Sequence, residues 1–198
     1  MGSESSLDRQ PVSHCAIGWA DAFQDGVGGN SPVNYGRFAT TPYDRLRILE
    51  RYGRIAMVGL SSNPFRPSHF AAIYMLSKGY DVIPVNPRET RILGRPCYAS
   101  VRDAPGPIEI VDIFREPSAV PEVVEDAIAV GAKVVWMQLG VIHEAAAERA
   151  RAAGLEVVMD RCMKIEHARF FGGLNTIGMN TGVISSRRRP QSHFSRQA

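Results

Sequence analysis

The sequence lacks the features that place a protein in a membrane or outside the cell. No apolar run approaches the roughly 18 to 20 residues that a membrane-spanning helix needs. The polar N-terminal stretch also lacks the apolar segment of a signal peptide. Only three cysteines occur (Cys15, Cys97 and Cys162), at wide spacings and without a CxxC pair. This pattern argues against a disulfide framework and a zinc site. We therefore expect a cytoplasmic protein that holds no metal and binds no membrane.

A general excess of basic charge is also missing. The formal net charge is +3, but residues 185–198 carry four arginines and no acidic residue. Without them, acidic residues outnumber basic residues by one. The sequence therefore predicts a disordered basic tail over 185–198 and no nucleic-acid partner. Residues 1–40 show no sustained periodicity and predict a loop-like arm, which leaves 41–184 as the domain.

The domain itself contains five apolar runs of strand length, at 55–60, 80–85, 108–114, 133–139 and 155–159. Helical patterns that end at glycine join most of them. Strands that are apolar on both faces are typical of a parallel sheet covered on both sides. With right-handed crossovers, the sequence predicts an α/β fold with a doubly wound five-stranded parallel sheet, which is Rossmann-like.

Two of the helices begin with capping signals. Thr41, followed by Pro42 and Asp44, predicts a helix that starts with a capping box and stops at Gly53. Ser68 is expected to cap the next helix. The inward side of that helix is predicted to be His69, Ala72, Ile73 and Leu76.

A ligand site is expected where the winding of such a sheet reverses, beyond the carboxyl ends of the strands. With a strand order 3-2-1-4-5, the loop 59–68 and the segment 138–140 would meet there. The loop leads into a helix N-terminus, whose free amides and partial positive charge suit a phosphate. Further donors come from the side chains of Ser61, Ser62, Asn63 and Arg66.

The standard nucleotide motifs are absent. Gly59 stands alone where a dinucleotide site has G-x-G-x-x-G, and the second strand ends in Pro84–Pro87 without an acidic residue for the ribose. A standard NAD site is therefore disfavoured, and no P-loop occurs. A phosphate-bearing ligand with a different ribose recognition remains.

Six ordered segments carry a family resemblance: 59–68 (GLSSNPFRPS), 82–87 (VIPVNP), 92–94 (ILG), 111–115 (VDIFR), 135–140 (VWMQLG) and 158–167 (VMDRCMKIEH). Together they resemble the small CoA-binding proteins, Rossmann-fold relatives of the CoA-binding domain of the succinyl-CoA synthetase α subunit. The resemblance spans 41–171 and implies that the protein binds coenzyme A or acyl-CoA at the strand ends.

The resemblance also implies which residues bind the cofactor. The pyrophosphate would be held by the loop and helix end containing Gly59, Ser61, Ser62, Asn63, Arg66 and Ser68. The nucleotide side would be lined by Val85, Asn86 and Pro87, with Phe114 and Arg115 next to it. The pantetheine arm would be bordered by Gln138, Leu139 and Gly140.

The sequence offers no recognisable catalytic set. Its five histidines include no H-x-x-H or H-x-x-x-H pair, and we assign no catalytic residue and no metal ligand. Cys162 is the one candidate redox residue, because Arg161 and Lys164 beside it are expected to lower the pKa of its thiol. It would form a mixed disulfide with the CoA thiol; the alternative is a buried, inert thiol. For His167, in the segment 158–167, two alternatives stay open: a functional role, or a structural hydrogen bond to Asp160 or the backbone.

Asp112 interrupts an otherwise apolar strand. We expect its carboxyl group to hydrogen-bond an amide of a neighbouring loop, and we assign it no catalytic role.

These observations predict a non-catalytic CoA-binding protein with a regulatory or carrier role, whose partner is the small-molecule ligand itself. Two alternatives stay open. The chain could be the CoA-binding half of an acid–CoA ligase or transferase, with a separate catalytic subunit. It could instead be a redox-regulatory module that binds NAD(P) or an adenine nucleotide. Self-association as a homodimer is compatible with each of these functions.

Overall fold

The computed structural model describes residues 40–172, and the predicted arm and basic tail lie outside the described residues. The helices are α1 (Pro42–Arg51), α2 (Pro67–Ser77), α3 (Val120–Ala129), α4 (Glu144–Ala152) and α5 (Met163–Phe171). The strands are β1 (Arg54–Val58), β2 (Asp81–Val85), β3 (Arg91–Ile92), β4 (Arg95–Pro96), β5 (Ile110–Ile113), β6 (Val134–Met137) and β7 (Glu156–Val158). A 3₁₀ turn, Pro117–Ala119, precedes α3.

The main sheet confirms the predicted Rossmann-like α/β architecture: five parallel strands in the order β2-β1-β5-β6-β7. The conditional order 3-2-1-4-5 is wrong, because the third long strand, β5, pairs directly with β1. The winding therefore reverses between β1 and β5, which is the flavodoxin-like arrangement. An apolar run indicates that a strand is buried on both faces, but it does not specify which strands pair with it. The sequence pattern therefore did not determine the strand order. The stretch before β5, predicted as irregular, contains the β3–β4 hairpin.

The two faces of the sheet are covered by different helices. Helices α3 and α4 pack on one face, over Val111 and Ile113 of β5. Helices α1, α2 and α5 pack on the other face, where Ile110 and the fully buried Trp136 lie. Because side chains alternate along a strand, Asp112 shares this second face with Ile110. None of the helices within residues 40–172 is long and apolar enough to cross a membrane.

The start of α1 confirms its predicted capping box. The Asp44 amide donates to Thr41 Oγ1 at 3.2 Å, and the Thr41 amide donates to Asp44 Oδ2 at 3.0 Å. The hydrogen bonds from Thr41 hold the pKa of Asp44 below its usual value.

The predicted start of α2 is wrong, and its predicted inward face is confirmed for His69 and Ala72 but wrong for Ile73. The helix begins at Pro67, one residue before Ser68, with Arg66 as its N-cap. Ser68 is buried and its Oγ accepts the Ser61 amide at 3.2 Å, so it fixes the preceding loop rather than capping the helix. The buried residues of the helix are Ser68, His69, Ala71, Ala72 and Met75. Ile73, expected inside, is 47% exposed.

The last helix, α5, was not predicted from the sequence. A buried ion pair joins it to α1, with Arg45 Nε 2.8 Å from Glu166 Oε2. The buried residues of α5 include the polar Glu166 and His167, so the helix lacks the apolar stripe that normally indicates a core helix. The helix places Cys162, its N-cap residue, at the carboxyl edge of the sheet.

Candidate functional site

A cavity of about 690 Å³ lies at the carboxyl edge of the sheet, beside the reversal between β1 and β5. The loops after four strands, together with the starts of α2 and α5, form its walls. The lining residues are Phe65, Pro67, Phe70, Ala71, Phe114, Arg115, Glu116, Pro117, Gln138, Leu139, Gly140, Val141, Cys162, Lys164 and Ile165. The volume is in the range of small-molecule sites, and aromatic and aliphatic side chains predominate.

Five of the fourteen residues expected to bind the cofactor line this cavity: Phe114, Arg115, Gln138, Leu139 and Gly140. Cys162, the redox candidate, lines it as well. The other nine lie beside it, in the β1–α2 loop and at the end of β2. Of these, Arg66 lies between the lining residues Phe65 and Pro67.

The β1–α2 loop is open to solvent, with Ser62 through Pro67 exposed. Short hydrogen bonds within it fix its path. Asn63 Oδ1 accepts the Phe65 amide at 2.9 Å, and His69 Nδ1 donates to Ser61 O at 2.8 Å. These contacts present Phe65, which is 85% exposed, and Arg66 at the edge of the cavity.

At Gly59 the backbone after β1 lies close to the backbone after β5. Its φ is +83°, and a Cβ placed there would lie 2.8 Å from Phe114 O and 3.0 Å from Arg115 Cδ. Only glycine fits both this backbone conformation and this spacing. Gly59 therefore sets the position of the loop that carries Arg115 without lining the cavity itself.

Two arginines at the cavity are available to an anion. Arg66 and Arg115 are exposed, and neither forms an ion pair within residues 40–172. Lys164 lines the cavity as a third cation, and Glu116 is the acidic residue of the lining. Guanidinium groups without a protein partner suit a phosphate-bearing ligand.

An acidic side chain from the β2–β3 connection faces the same loop. Glu89 Oε1 accepts both the Ser62 amide, at 3.0 Å, and the Ser62 hydroxyl, at 2.9 Å. Donors that hold a carboxylate can also hold a phosphate oxygen. An anionic ligand at Ser62 would therefore compete with Glu89.

The residues at the end of β2 support the loop instead of lining the cavity. Val85 is buried in the sheet, and Asn86 Nδ2 donates to Leu60 O at 2.9 Å. Pro87 is exposed. Asn86 thus connects the two strand ends on the expected nucleotide side.

Asp112 and Gln138 form a polar pair next to the cavity. Gln138 Nε2 donates to Asp112 Oδ1 at 2.7 Å, and Gln138 Oε1 accepts the Met163 amide at 3.3 Å. The expected loop amide is therefore not the partner of Asp112. Burial raises the pKa of Asp112 to about 7, although the Gln138 hydrogen bond acts in the opposite direction.

The expectation of a lowered pKa for Cys162 is wrong. Burial raises the pKa of its thiol, and the nearby Asp112 carboxyl group adds to that increase. The Ile165 and Lys164 amides and the Lys164 charge oppose it without reversing it. The Arg161 guanidinium is directed elsewhere, since its Nη1 donates to Asp160 O at 2.8 Å.

Asp160 and His167 are not partners of each other. Asp160 has a φ of +56°, and its Oδ1 accepts the Gly140 amide at 2.7 Å, which holds the loops after β6 and β7 together. His167 Nδ1 lies 3.1 Å from the Tyr74 hydroxyl, and its ring packs on Phe171. Burial and Lys78 lower the pKa of His167.

Of the three aromatic residues that line the cavity, Phe114 was predicted, whereas Phe65, Phe70 and the acidic residue that contacts Ser62 were missed. Phe70 was treated as part of an ordinary helix, yet it is 52% exposed. Its signal was present, because Phe65 lies within the predicted phosphate-binding loop 59–68 and Phe70 follows it closely. Glu89 could not be found this way, since 27 residues separate it from Ser62.

A comparison with protein families identifies the family of this chain. A family model described as a CoA binding domain matches residues 53–168, more than half of the chain. The chain belongs to this CoA-binding domain family. The match includes the loops that form the cavity, from the β1–α2 loop to the start of α5.

Individual relatives agree with the family assignment. The uncharacterized protein YneT of Bacillus subtilis is 41% identical over 121 residues, which cover 61% of this chain and 90% of YneT. A hypothetical protein from Pyrococcus horikoshii, whose structure is solved, is 44% identical with a TM-score of 0.66, covering 72% of this chain and 98% of its own. An acetyl-coenzyme A synthetase of Ca. Korarchaeum cryptofilum, solved in its apo form, is 25% identical with a TM-score of 0.52. That match covers 58% of this chain and 28% of the synthetase.

Proposed function

We propose that this CoA-binding domain protein binds coenzyme A or an acyl-CoA in the cavity at the β1–β5 reversal. One observation carries the proposal: an apolar cavity of about 690 Å³ opens beside two arginines, Arg66 and Arg115, that have no ion-pair partner among residues 40–172. CoA combines a long, uncharged arm with several phosphate charges at one end. The cavity and the arginines match these two parts.

The proposed ligand lies with its pyrophosphate at the β1–α2 loop and the start of α2. Ser61, Ser62 and Arg66 supply donors there, and the first turn of the helix adds its partial positive charge. The pantetheine arm runs past Phe65 and Phe70 toward Leu139 and Gln138. In this orientation the end of the arm lies near Cys162, which also lines the cavity.

The proposed role is carrier or regulatory, in the cytoplasm. Within residues 40–172, no three metal-ligating side chains cluster. The described cavity lining contains no histidine.

A second candidate function is the CoA-binding half of a ligase with a separate catalytic subunit. The observation that favours it is the match to an acetyl-coenzyme A synthetase, of which this domain corresponds to 28%. CoA-dependent turnover after addition of a co-purifying larger subunit would support this second function.

Arg66→Ala is expected to weaken CoA binding by about 1.5 to 3 kcal/mol, because a charged hydrogen bond to phosphate is lost. Isothermal titration calorimetry measures this loss. Arg102→Ala is the matched control, since Arg102 is also exposed but pairs with Asp126, and neither residue lines the cavity. Equal affinities for the wild type and Arg66→Ala would remove Arg66 from the site.

Glu89→Gln is expected to tighten CoA binding about 1.5- to fivefold, which corresponds to the ~0.2 to 1 kcal/mol of one exposed charge pair. The substitution removes a carboxylate that repels phosphate and occupies the Ser62 donors. Calorimetry at low and high salt checks it, because the gain shrinks as salt screens the charge. Glu122→Gln, an exposed carboxylate on α3, should change nothing. Weaker binding by Glu89→Gln would mean that Glu89 orders the loop for the ligand.

A further inference from the structure

Helix α2, which forms part of the cavity wall, differs from the other α-helices of residues 40–172 in the chemistry of its outer face. Its 11 residues include no aspartate, glutamate, lysine or arginine. Each of the other four α-helices carries at least three such residues. On α2, Phe70 and Ile73 are 52% and 47% exposed. Surface helices normally carry charged residues on their outer face, so this uncharged face is expected to have an apolar partner.

The apolar face of α2 is continuous with the cavity. Phe70 lines the cavity, and so does Ile165 of α5. The two helices are neighbours, since the Tyr74 hydroxyl of α2 lies 3.1 Å from His167 Nδ1 of α5. Ile73 follows Phe70 by three residues and therefore lies next to it on the same helix face, beyond the cavity lining. Phe70, Ile73 and Ile165 are called the apolar strip below.

The polar side chain next to this part of the cavity already has partners within the protein. Gln138 Nε2 donates to Asp112 Oδ1, and Gln138 Oε1 accepts the Met163 amide at the start of α5. Lys164 and Glu116 also line the cavity, with opposite charges. The start of α5 therefore offers a ligand mainly apolar contact, with Lys164 as a cation beside it.

We propose that the site binds acyl-CoA with an apolar acyl chain in preference to free CoA, and that the chain lies on the apolar strip. This inference rests on the proposed function, because the cavity must first hold the CoA part of the ligand. In the proposed orientation the sulfur of the ligand lies near Cys162, three residues before Ile165. An acyl chain on that sulfur then lies between Ile165 of α5 and Phe70 and Ile73 of α2. The ligand that fills the cavity thus also covers the uncharged face of α2.

Calorimetry with CoA, acetyl-CoA, butyryl-CoA, hexanoyl-CoA and octanoyl-CoA tests the preference. Each methylene that the strip covers is expected to raise the affinity about two- to fourfold, and the upper value corresponds to the ~0.8 kcal/mol of a fully buried methylene. Octanoyl-CoA should therefore bind at least tenfold more tightly than CoA. Equal affinities for CoA and octanoyl-CoA overturn this inference and leave the proposed function intact. Binding of none of these ligands overturns both.

Butyryl-CoA and succinyl-CoA separate an apolar subsite from one that uses Lys164. The two acyl groups have the same number of carbon atoms, but the succinyl group ends in a carboxylate. Butyryl-CoA is expected to bind at least tenfold more tightly, because the carboxylate loses its hydration against the apolar strip. Tighter binding of succinyl-CoA, with Lys164 as the partner of its carboxylate, overturns the proposal.

Ile73→Ser tests the position of the chain on α2, with Ile142→Ser as the matched control. Ile73 and Ile142 are 47% and 49% exposed, but Ile142 precedes α4 and does not belong to the strip. Ile73→Ser is expected to lower the ratio of octanoyl-CoA affinity to CoA affinity at least threefold, whereas Ile142→Ser should leave this ratio unchanged. Equal ratios for Ile73→Ser and the wild type overturn the proposed position. A ligand-free dimer that Ile73→Ser dissociates, with that ratio unchanged, would instead assign the face to a second copy of the chain.

Discussion

Asp112→Asn is expected to be more stable than the wild type above pH 7 and close to it near pH 4. Burial raises the pKa of Asp112 from 3.8 to about 7 in the folded protein. Between these two values the folded state holds a proton that the unfolded state has released. The free energy of unfolding of the wild type therefore falls as pH rises from about 4 to about 7 and then levels off. Three pKa units correspond to about 4 kcal/mol.

Asparagine does not titrate and keeps an oxygen that can accept the Gln138 hydrogen bond. The stability difference between variant and wild type should therefore grow by up to about 4 kcal/mol over this range. Denaturant unfolding of both proteins at several pH values measures this difference in stability. The contributions of all other titrating groups cancel in the difference, because both proteins contain them. Glu122→Gln, on the exposed side of α3, should show a difference that does not vary with pH. The same flat profile for Asp112→Asn would contradict a raised pKa.

Gly59→Ala is expected to destabilise the fold by about 2 to 6 kcal/mol. The positive φ of Gly59 costs an alanine about 1 to 3 kcal/mol. The added Cβ would also lie 2.8 Å from a backbone carbonyl, Phe114 O, which cannot move without shifting the end of β5. Such overpacking adds about 1 to 3 kcal/mol. The same shift should weaken CoA binding, because Phe114 and Arg115 line the cavity.

Gly79→Ala separates the two contributions. Gly79 has a φ of +89°, but nothing lies within 4 Å of the position that a Cβ would take there. Alanine at position 79 should therefore lose only the ~1 to 3 kcal/mol of stability that a positive φ costs. It should leave the affinity for CoA unchanged. Thermal and denaturant unfolding of both variants gives the comparison. Equal losses of stability, with equal CoA affinities, would show that the contact between Gly59 and Phe114 is unimportant.

Local features of the fold could be predicted from the sequence. The capping box of α1 depends on Thr41 and Asp44, which are three residues apart, and the structure contains it as predicted. The parallel sheet follows from apolar runs such as those of β1 and β6, each buried on both faces. The β1–α2 loop could be recognised because its serines, asparagine and arginine follow a strand and precede a helix.

Features that depend on distant contacts could not be predicted in this way. The Arg45–Glu166 pair joins residues 121 positions apart, and without it the charged α5 does not resemble a core helix. The pKa of Cys162 depends on burial and on Asp112 of another strand, so its sequence neighbours gave the wrong direction. Likewise, the reversal of winding lies between β1 and β5, a pairing that periodicity along the chain does not specify.

The CoA assignment is tested most directly by native mass spectrometry with an equimolar mixture of CoA, NAD and ADP. We expect one CoA per wild-type chain, reduced occupancy for Arg66→Ala, and full occupancy for the control Arg102→Ala. NAD and ADP should remain unbound at the same concentration. Preferential occupancy by NAD or ADP, or CoA bound equally well by all three proteins, would contradict the proposed site.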